Sequence, residues 1–166
     1  MKVYEVRGCI EEADCVIGHS FGSSVDGGSV NHALAILMLE HAAGRPMIAD
    51  RTLVDALPDG DNRMAHVVEG QRTNMKAEGV GTWGTLVAAK EYMDEYGLKS
   101  PLMIAQAYHI SRVVRQAGKL GITSIVPEGL PTEFDEQSEQ IWTRSAFLWV
   151  PSNWLGTLLL KKRGQI

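Results

Sequence analysis

The stretch Leu102–Arg115 reads LMIAQAYHISRVVR and changes character near its middle. Its first half is apolar and typical of a buried strand, whereas the apolar residues from Ile110 onward follow the spacing of a helix. The sequence therefore predicts that a strand leads directly into a helix at Tyr108-His109. If that strand is parallel and central, its end lies at the edge of the sheet where open α/β folds bind ligands. His109 and Arg112, three residues apart, share one face of the first helical turn.

The same alternation of strands and helices extends before and after this stretch. Apolar runs predict further strands at residues 13–18, 47–49 and 123–126. Helical spacing, with Ser29 and Thr82 as the expected N-caps, predicts helices at residues 29–44, 82–97 and 109–121, and residues 64–69 suggest a helical turn. Such an alternation favours a parallel sheet with helices on both faces. The predicted fold class is α/β, a three-layer Rossmann-like sandwich with a mainly parallel sheet and C-terminal helices.

The C-terminal part of the chain has a different pattern. Residues 1–166 are expected to form one domain, on which residues 134–166 pack as a helical extension. Two helices are predicted there, one over residues 134–149 and one capped by Ser152. The apolar run Ala146–Leu160 is interrupted by Pro151 and falls short of the roughly 20 residues that a membrane span requires. We therefore expect no transmembrane segment and a cytoplasmic protein.

The charge of the chain limits the kinds of partner. Its 166 residues carry a net charge of −4. Binding nucleic acid over a wide footprint requires a basic face, so a nucleic acid is not expected as a partner, whereas a local site for a small anionic metabolite is compatible with this charge. The histidines lack a spacing such as His-x-x-x-His, and Cys9 and Cys15 do not fit a metal knuckle. No metal site is expected.

Residues Gly18–Gly22 read GHSFG, which matches the Gly-x-Ser-x-Gly pattern of a nucleophile elbow after a predicted strand. In that mechanism Ser20 would attack an acyl carbon, His109 would act as the general base and Asp50 would orient it. Two features argue against such a serine esterase. Helical spacing does not begin directly after Ser20, and too few strands precede the motif to build the hydrolase fold.

The same loop also fits a ligand-binding turn. Its small residues would let the backbone approach a ligand, with the N–H groups and the hydroxyls of Ser20, Ser23 and Ser24 as hydrogen-bond donors. The loop is neither a Walker loop nor a Gly-x-Gly-x-x-Gly fingerprint. Both interpretations place Ser20 in a site.

The order of these features resembles the YdcF-like family, which includes SanA and ElyC. The resemblance covers residues 13–127: a strand ending in Gly18, a Gly/Ser loop, a long apolar helix, a helix beginning at Thr82, and an apolar strand that runs into Tyr108-His109-Ile110-Ser111-Arg112. It implies a Rossmann-like fold with a pocket at the carboxyl ends of the strands. Some members are linked to S-adenosylmethionine binding and others to bacterial envelope maintenance. Where the family usually has an asparagine, this chain has Thr85, so the role of that amide passes to a hydroxyl or is lost.

The residues predicted to line the pocket come from the loop after the first strand, from the helix at Thr82 and from the strand-to-helix junction. They are Gly18, His19, Ser20, Phe21, Gly22, Thr82, Thr85, Tyr108, His109 and Arg112. Near a helix start His109 would stay neutral, while the guanidinium of Arg112 can bind a carboxylate or a phosphate. Glu78 is either an acid that orients a ribose-like hydroxyl or a solvated loop residue.

Three functional interpretations remain open. The first is a domain that binds a small anionic or nucleotide-type metabolite; the sequence does not identify a cofactor, and the resemblance leaves S-adenosylmethionine or a nucleotide as candidates. If that domain is an enzyme, it is a hydrolase or a transferase. The second is a serine esterase that uses Ser20 and His109 as catalytic residues. The third is a non-catalytic ligand sensor or an envelope-associated accessory protein with the same pocket.

Overall fold

A computed structural model describes residues 3–22, 28–58, 64–69 and 81–166. Four strands form one sheet in the order β3-β2-β1-β4, and every pair is parallel. They are β1 (Cys15–Gly18), β2 (Met47–Asp50), β3 (Met64–Val68) and β4 (Pro101–Ile104). Every residue of β1 and β4 is buried, as expected for strands covered on both faces. The predicted α/β class with a parallel sheet is confirmed.

Helices cover both faces of this sheet. They are α1 (Gly28–Ala42), α2 (Arg51–Val54), α3 (Thr82–Tyr96), α4 (Ala107–Lys119) and α5 (Ala146–Lys162). The first two pack against each other and against the sheet, and α3 and α4 form a second such pair. The architecture is therefore the predicted three-layer, Rossmann-like sandwich. None of the described helices has the length and hydropathy that a bilayer span requires.

Strand β4, which opens the stretch Leu102–Arg115, has a hydrogen-bonded neighbour on each side. On one side β4 pairs with β1, in the register Gly18 to Ile104. On the other side the Met103 N–H donates to the Ile125 carbonyl, and the Ile125 N–H donates to the Pro101 carbonyl. The chain leaves β1 for β2 in one direction and returns to β4 on the opposite side of β1. This reversal creates a crevice at the carboxyl ends of β1 and β4, the usual ligand position in such folds.

Two local predictions near the first half of the chain are wrong. Residues 64–69 form no helical turn, because Met64–Val68 pair with β2 as a strand. The pairing partner supplies the backbone hydrogen bonds, and this tertiary contact outweighs the weak local pattern. The first helix begins at Gly28, so Ser29 lies inside α1 and is not its N-cap.

The prediction of two C-terminal helices is also wrong. Residues 134–145 contain only a short 3-10 turn, Ile141–Thr143. Local side chains take the backbone donors that a helix would need: Asp135 accepts from the Gln137 N–H, and Ser138 accepts from the Gln140 N–H. The single helix α5 starts after Ser145, whose side chain accepts from the Leu148 N–H. Ser152 therefore lies inside a helix that continues through Pro151.

Candidate functional site

The loop after β1 and the start of α4 meet at the crevice between β1 and β4. The His19 N–H donates to the Ile104 carbonyl at 2.9 Å, so the two strands stay paired one residue beyond β1. This pairing carries residues 19–22 toward the residues that follow β4. Because the two segments are fixed by the same sheet, the side chains of His19, Phe21 and His109 lie near one another.

The loop amides that were expected to bind a ligand already have partners. The Ser20 N–H donates to Asp50 Oδ2 at 2.9 Å, and the Phe21 N–H donates to Asn31 Oδ1 at 2.8 Å. Both acceptors come from other elements, the end of β2 and the buried side of α1. The backbone of residues 19–21 therefore holds the loop in place and offers no free N–H group.

The backbone N–H groups at the start of α4 also have hydrogen-bond acceptors within the protein. Gln106 is its N-cap, and Gln106 Oε1 accepts from the Tyr108 N–H at 2.8 Å. The Ala107 N–H donates to the Pro131 carbonyl, also at 2.8 Å. Gln106 Nε2 donates to the carbonyls of Thr132 and Glu133, which holds that segment against the helix start. Donors for an anion must therefore come from side chains.

His109 is buried in the first turn of α4 and uses one of its ring nitrogens. Its Nε2 is joined to Thr82 Oγ1 by a hydrogen bond of 3.2 Å, while Nδ1 is buried without a partner. Burial holds the pKa of His109 well below its usual range, and Arg112 and His19 lower it further. Thr82 was predicted to cap α3, but Gly81 is the N-cap. The Thr82 hydroxyl does not cap the helix and instead faces the imidazole of His109.

His19 is the second buried imidazole of the site and is only 2% exposed. Its Nε2 has no hydrogen-bond partner. Burial lowers the pKa of His19 to about 3, with a further contribution from the positive charge of Arg112. Both imidazoles are therefore neutral at pH 7, and each presents one unpaired nitrogen inside the protein.

Arg112 places a positive charge beside these two imidazoles. Its guanidinium lies over the ring of Trp149, at 5.1 Å from the ring centroid, and Nη1 donates to Asn153 Oδ1 at 3.4 Å. Nε is buried without a partner, and no carboxylate of the described residues forms an ion pair with this side chain. Burial, together with Arg115, lowers the pKa of Arg112 to about 10. The charge is thus retained at pH 7 without a counter-ion.

Aromatic residues of the C-terminal segment cover this cluster. The Trp149 ring lies 4.8 Å from Phe21 and 5.5 Å from His109 between ring centroids, and its Nε1 donates to the Tyr108 carbonyl at 3.3 Å. Phe134 contacts Phe21 and Tyr108 in the same way, at 5.6 and 5.3 Å. The extension therefore packs on the sheet edge as a cover.

Gly22 shows how closely this cover fits. Its φ is +77°, and a Cβ at this position would lie 2.6 Å from Ser138 Oγ and 2.7 Å from Thr143 Oγ1. Gly22 was predicted to let the backbone approach a ligand. In the structure the close neighbours are instead the two buried hydroxyls of the C-terminal segment.

Ser20 and Asp50 form a separate pair. The Ser20 hydroxyl and N–H both interact with the Asp50 carboxylate, whose Oδ1 also accepts from the Leu53 N–H at the start of α2. Burial raises the pKa of Asp50, and these hydrogen bonds partly offset the increase. Within the described part of the chain, no hydrogen bond joins Ser20 to an imidazole. The proposed triad of Ser20, Asp50 and His109 is therefore not connected by hydrogen bonds among the described residues, and the esterase hypothesis stays a prediction.

The remaining predicted residues have structural positions that follow from the fold. Thr85 is buried on α3, one turn after Thr82, and Tyr108 is half-buried beside Phe134. Gly18 ends β1 beneath Met38 and Leu53. The predicted roles of Ser23, Ser24 and Glu78 lie outside the described residues.

Two residues that organise the site were not anticipated as such. Asn31 and Gln106 are buried amides that hold Phe21 and the start of α4. Gln106 is a polar residue within an otherwise apolar run, which is the sequence signal that could have identified it, whereas Asn31 stands beside His32 and has no such signal.

A second concave surface lies away from this cluster. An open groove of about 440 Å³ runs between α1 and residues 129–133 and contains none of the predicted site residues. Within residues 3–22, 28–58, 64–69 and 81–166, no group of three or more His, Cys, Asp or Glu side chains is arranged to hold a metal ion.

No family model matches the chain, and comparisons with curated proteins and with solved structures gave no match.

Proposed function

We propose that this protein binds a small anionic metabolite, of the nucleotide or S-adenosylmethionine type, at the carboxyl edge of its sheet. The groups that receive the anion are the side chains of His19, His109 and Arg112. We also propose that the chain is a YdcF-like protein. The parallel sheet, together with the position of Tyr108-His109-Ile110-Ser111-Arg112 after β4, supports that assignment.

The observation that carries the proposal is the group of three unpaired nitrogen atoms on these side chains. His19 Nε2, His109 Nδ1 and Arg112 Nε are all buried without a partner. An unsatisfied buried polar group costs about 1–3 kcal/mol, and more when it is charged. The half-buried guanidinium of Arg112, which has no carboxylate partner among the described residues, adds an uncompensated positive charge. A carboxylate or phosphate would satisfy these donors together and neutralise the charge.

The surrounding groups suit a ligand that has an apolar part beside its anion. The aromatic rings of Phe21 and Trp149 pack edge-to-face beside the imidazole of His109 and give the surroundings of the cluster their apolar character. Thr82 fixes the orientation of His109 through their hydrogen bond. Trp149 occupies the entry side of the cluster, so a ligand enters only when this ring moves away.

If this protein is an enzyme, His109 is the residue of this site that would transfer a proton. Burial keeps its ring neutral at pH 7, and a pKa well below the working pH makes that ring a weak base. A protein that uses it this way would be a hydrolase or a transferase. A sensor would bind the same ligand and leave it unchanged, so analysis of the ligand after incubation separates the two.

Thermal unfolding with candidate ligands tests the binding proposal. Inorganic phosphate, AMP and S-adenosylmethionine are added separately, and a ligand that binds the folded state raises the Tm with its concentration. We expect at least one of them to do so. Arg112→Gln should remove the increase, because it removes the positive charge that would bind the anion, and each variant is compared with its own unliganded Tm.

Arg115→Gln is the matched control. Arg115 lies one turn away on the same helix, is exposed, and donates to the Ser111 carbonyl. This variant should keep the full response to the ligand. An equal response in Arg112→Gln, or no response of the wild-type protein to any of the three anions, would contradict the proposal.

A further inference from the structure

Helix α5 packs on the protein through one narrow face and exposes most of its large apolar residues. It contacts the rest of the protein through Trp149, Asn153 and Gly156, which all lie close to Arg112. At 3.6 residues per turn, its large apolar residues fall on the opposite half of the helix. These outward residues are Phe147 (86% exposed), Leu148 (37%), Val150 (55%), Trp154 (65%), Leu155 (58%), Leu158 (40%) and Leu159 (53%). We call this set the outer face of α5.

Such a face is unusual for a surface helix, which normally directs its apolar side to the core. It forms a continuous apolar strip along a helix of 17 residues. At 1.5 Å per residue the strip from Phe147 to Leu159 is about 18 Å long. Contiguous exposed apolar surface of this kind marks a site of interaction.

Charge identifies the occupant of the outer face. From Ile141 to Ile166 the charged residues are Arg144, Lys161, Lys162 and Arg163, and no acidic residue occurs in this segment. The whole chain nevertheless has a net charge of −4. Basic residues therefore flank the apolar strip at both ends, while the acidic residues belong to the rest of the molecule.

The positive charge of α5 disfavours packing against α5 of a second copy of this chain. If two α5 helices packed through their outer faces, basic residues of one copy would lie near those of the other, and the helix has no carboxylate to neutralise them. An anionic lipid surface matches both features. Its hydrocarbon accepts the apolar strip, and its head groups attract the flanking lysines and arginines.

We propose that α5 binds the surface of an anionic bilayer and lies parallel to it, with its outer face inserted among the lipids. Trp154 and the exposed Trp142 are the aromatic residues that favour the boundary between head groups and hydrocarbon. The helix binds from one side and does not cross the bilayer. This inference does not depend on the ligand proposed above.

Co-sedimentation of the full chain with vesicles tests the inference. One set of vesicles contains phosphatidylcholine alone, and the other contains equal parts of phosphatidylcholine and phosphatidylglycerol. We expect strong binding to the second set, weak binding to the first, and a decrease with added salt. Each basic residue near an anionic surface contributes about fivefold to the partition coefficient, so the triple variant Lys161→Glu, Lys162→Glu, Arg163→Glu should bind at least about a hundredfold more weakly.

A pair of matched variants separates the outer face from apolar surface in general. Leu155→Ser removes an exposed leucine from α5 and should weaken binding about tenfold. Ile36→Ser changes a residue of similar exposure, 49%, on α1 and should leave binding unchanged. Circular dichroism of both variants checks that the helices are retained.

Three results would overturn the inference. Equal binding to neutral and anionic vesicles would show that charge has no role. Absence of binding to both would exclude a lipid surface. A dimer in sedimentation velocity that dissociates in Leu155→Ser would identify a second copy as the occupant of the outer face.

Discussion

The Ser20 hydroxyl and the His109 imidazole belong to different hydrogen-bond pairs, and this separation determines what each can do. Ser20 contacts the Asp50 carboxylate, whereas His109 Nε2 contacts Thr82. A serine becomes a nucleophile when an adjacent base accepts its proton. Asp50 is also engaged by the Leu53 N–H at the start of α2, which gives this carboxylate a structural role.

At the residue scale we therefore predict that Ser20 is unreactive. A fluorophosphonate probe should not label the folded protein, because no imidazole of the described residues is hydrogen-bonded to the Ser20 hydroxyl. The measurement is intact-mass spectrometry after incubation, with a known serine esterase as the positive control for the probe. Labelling that disappears in Ser20→Ala would establish the esterase interpretation instead.

At the scale of elements, the end of β1 depends on a close approach to two helices. A Cβ added at Gly18 would lie 2.1 Å from Met38 Sδ on α1 and 2.5 Å from Leu53 Cδ2 on α2. We predict that Gly18→Ala lowers the free energy of unfolding by about 1–3 kcal/mol, since the core must shift to admit one methyl group. Urea denaturation measures this change.

Gly118 provides the contrasting position. It lies on α4, and an added Cβ would have no neighbour within 4 Å. Gly118→Ala should raise the free energy of unfolding by about 0.5 kcal/mol through helix propensity alone. If the two alanine variants change stability equally, packing is not what requires glycine at the end of β1.

Elements with a strong pattern could be predicted from the sequence, and those fixed by partners could not. The strands at Cys15–Gly18 and Met47–Asp50 and the strand before Tyr108 have apolar runs of their own. In contrast, β3 depends on pairing with β2, and residues 134–145 depend on local hydrogen bonds from Asp135 and Ser138.

The candidate site follows the same division. Its position was predictable because strand order places β1 beside β4. The sequence could not predict that the N–H groups of Ser20 and Phe21 are already hydrogen-bonded, because their acceptors, Asp50 and Asn31, are distant in sequence. Trp149 likewise covers Arg112 only through the packing of α5, which no local pattern encodes.

At the scale of the whole molecule, the two buried imidazoles predict how stability depends on pH. The folded state keeps His19 and His109 neutral, with their pKa values lowered to about 3 and well below the usual range, respectively. The unfolded chain protonates both near pH 6.5. The stability that these two neutral imidazoles contribute to the folded state is fully present above about pH 6.5 and is lost as the pH falls toward 3.

We therefore expect His19 alone to lower the free energy of unfolding by about 2 kcal/mol between about pH 6.5 and pH 5, and His109 to lower it further. Urea denaturation across this range measures the slope. His19→Asn should reduce the slope, whereas His41→Asn, a change at the partly exposed end of α1, should not. The raised pKa of Asp50 changes stability with pH in the opposite direction. The stability that its protonated carboxyl contributes is fully present below pH 3.8 and is lost as the pH rises through the pKa of Asp50 in the folded protein.

Trp149 and Leu148 are neighbours in sequence on α5 but differ in burial, since Trp149 packs over the guanidinium of Arg112 and Leu148 is 37% exposed. A metabolite that displaces the indole must shift this helix, and anything that holds the helix from outside changes how readily the indole is displaced. Thermodynamic reciprocity then requires each event to alter the other by the same factor. Occupancy of the cleft and attachment through the helix would in that case be one linked equilibrium.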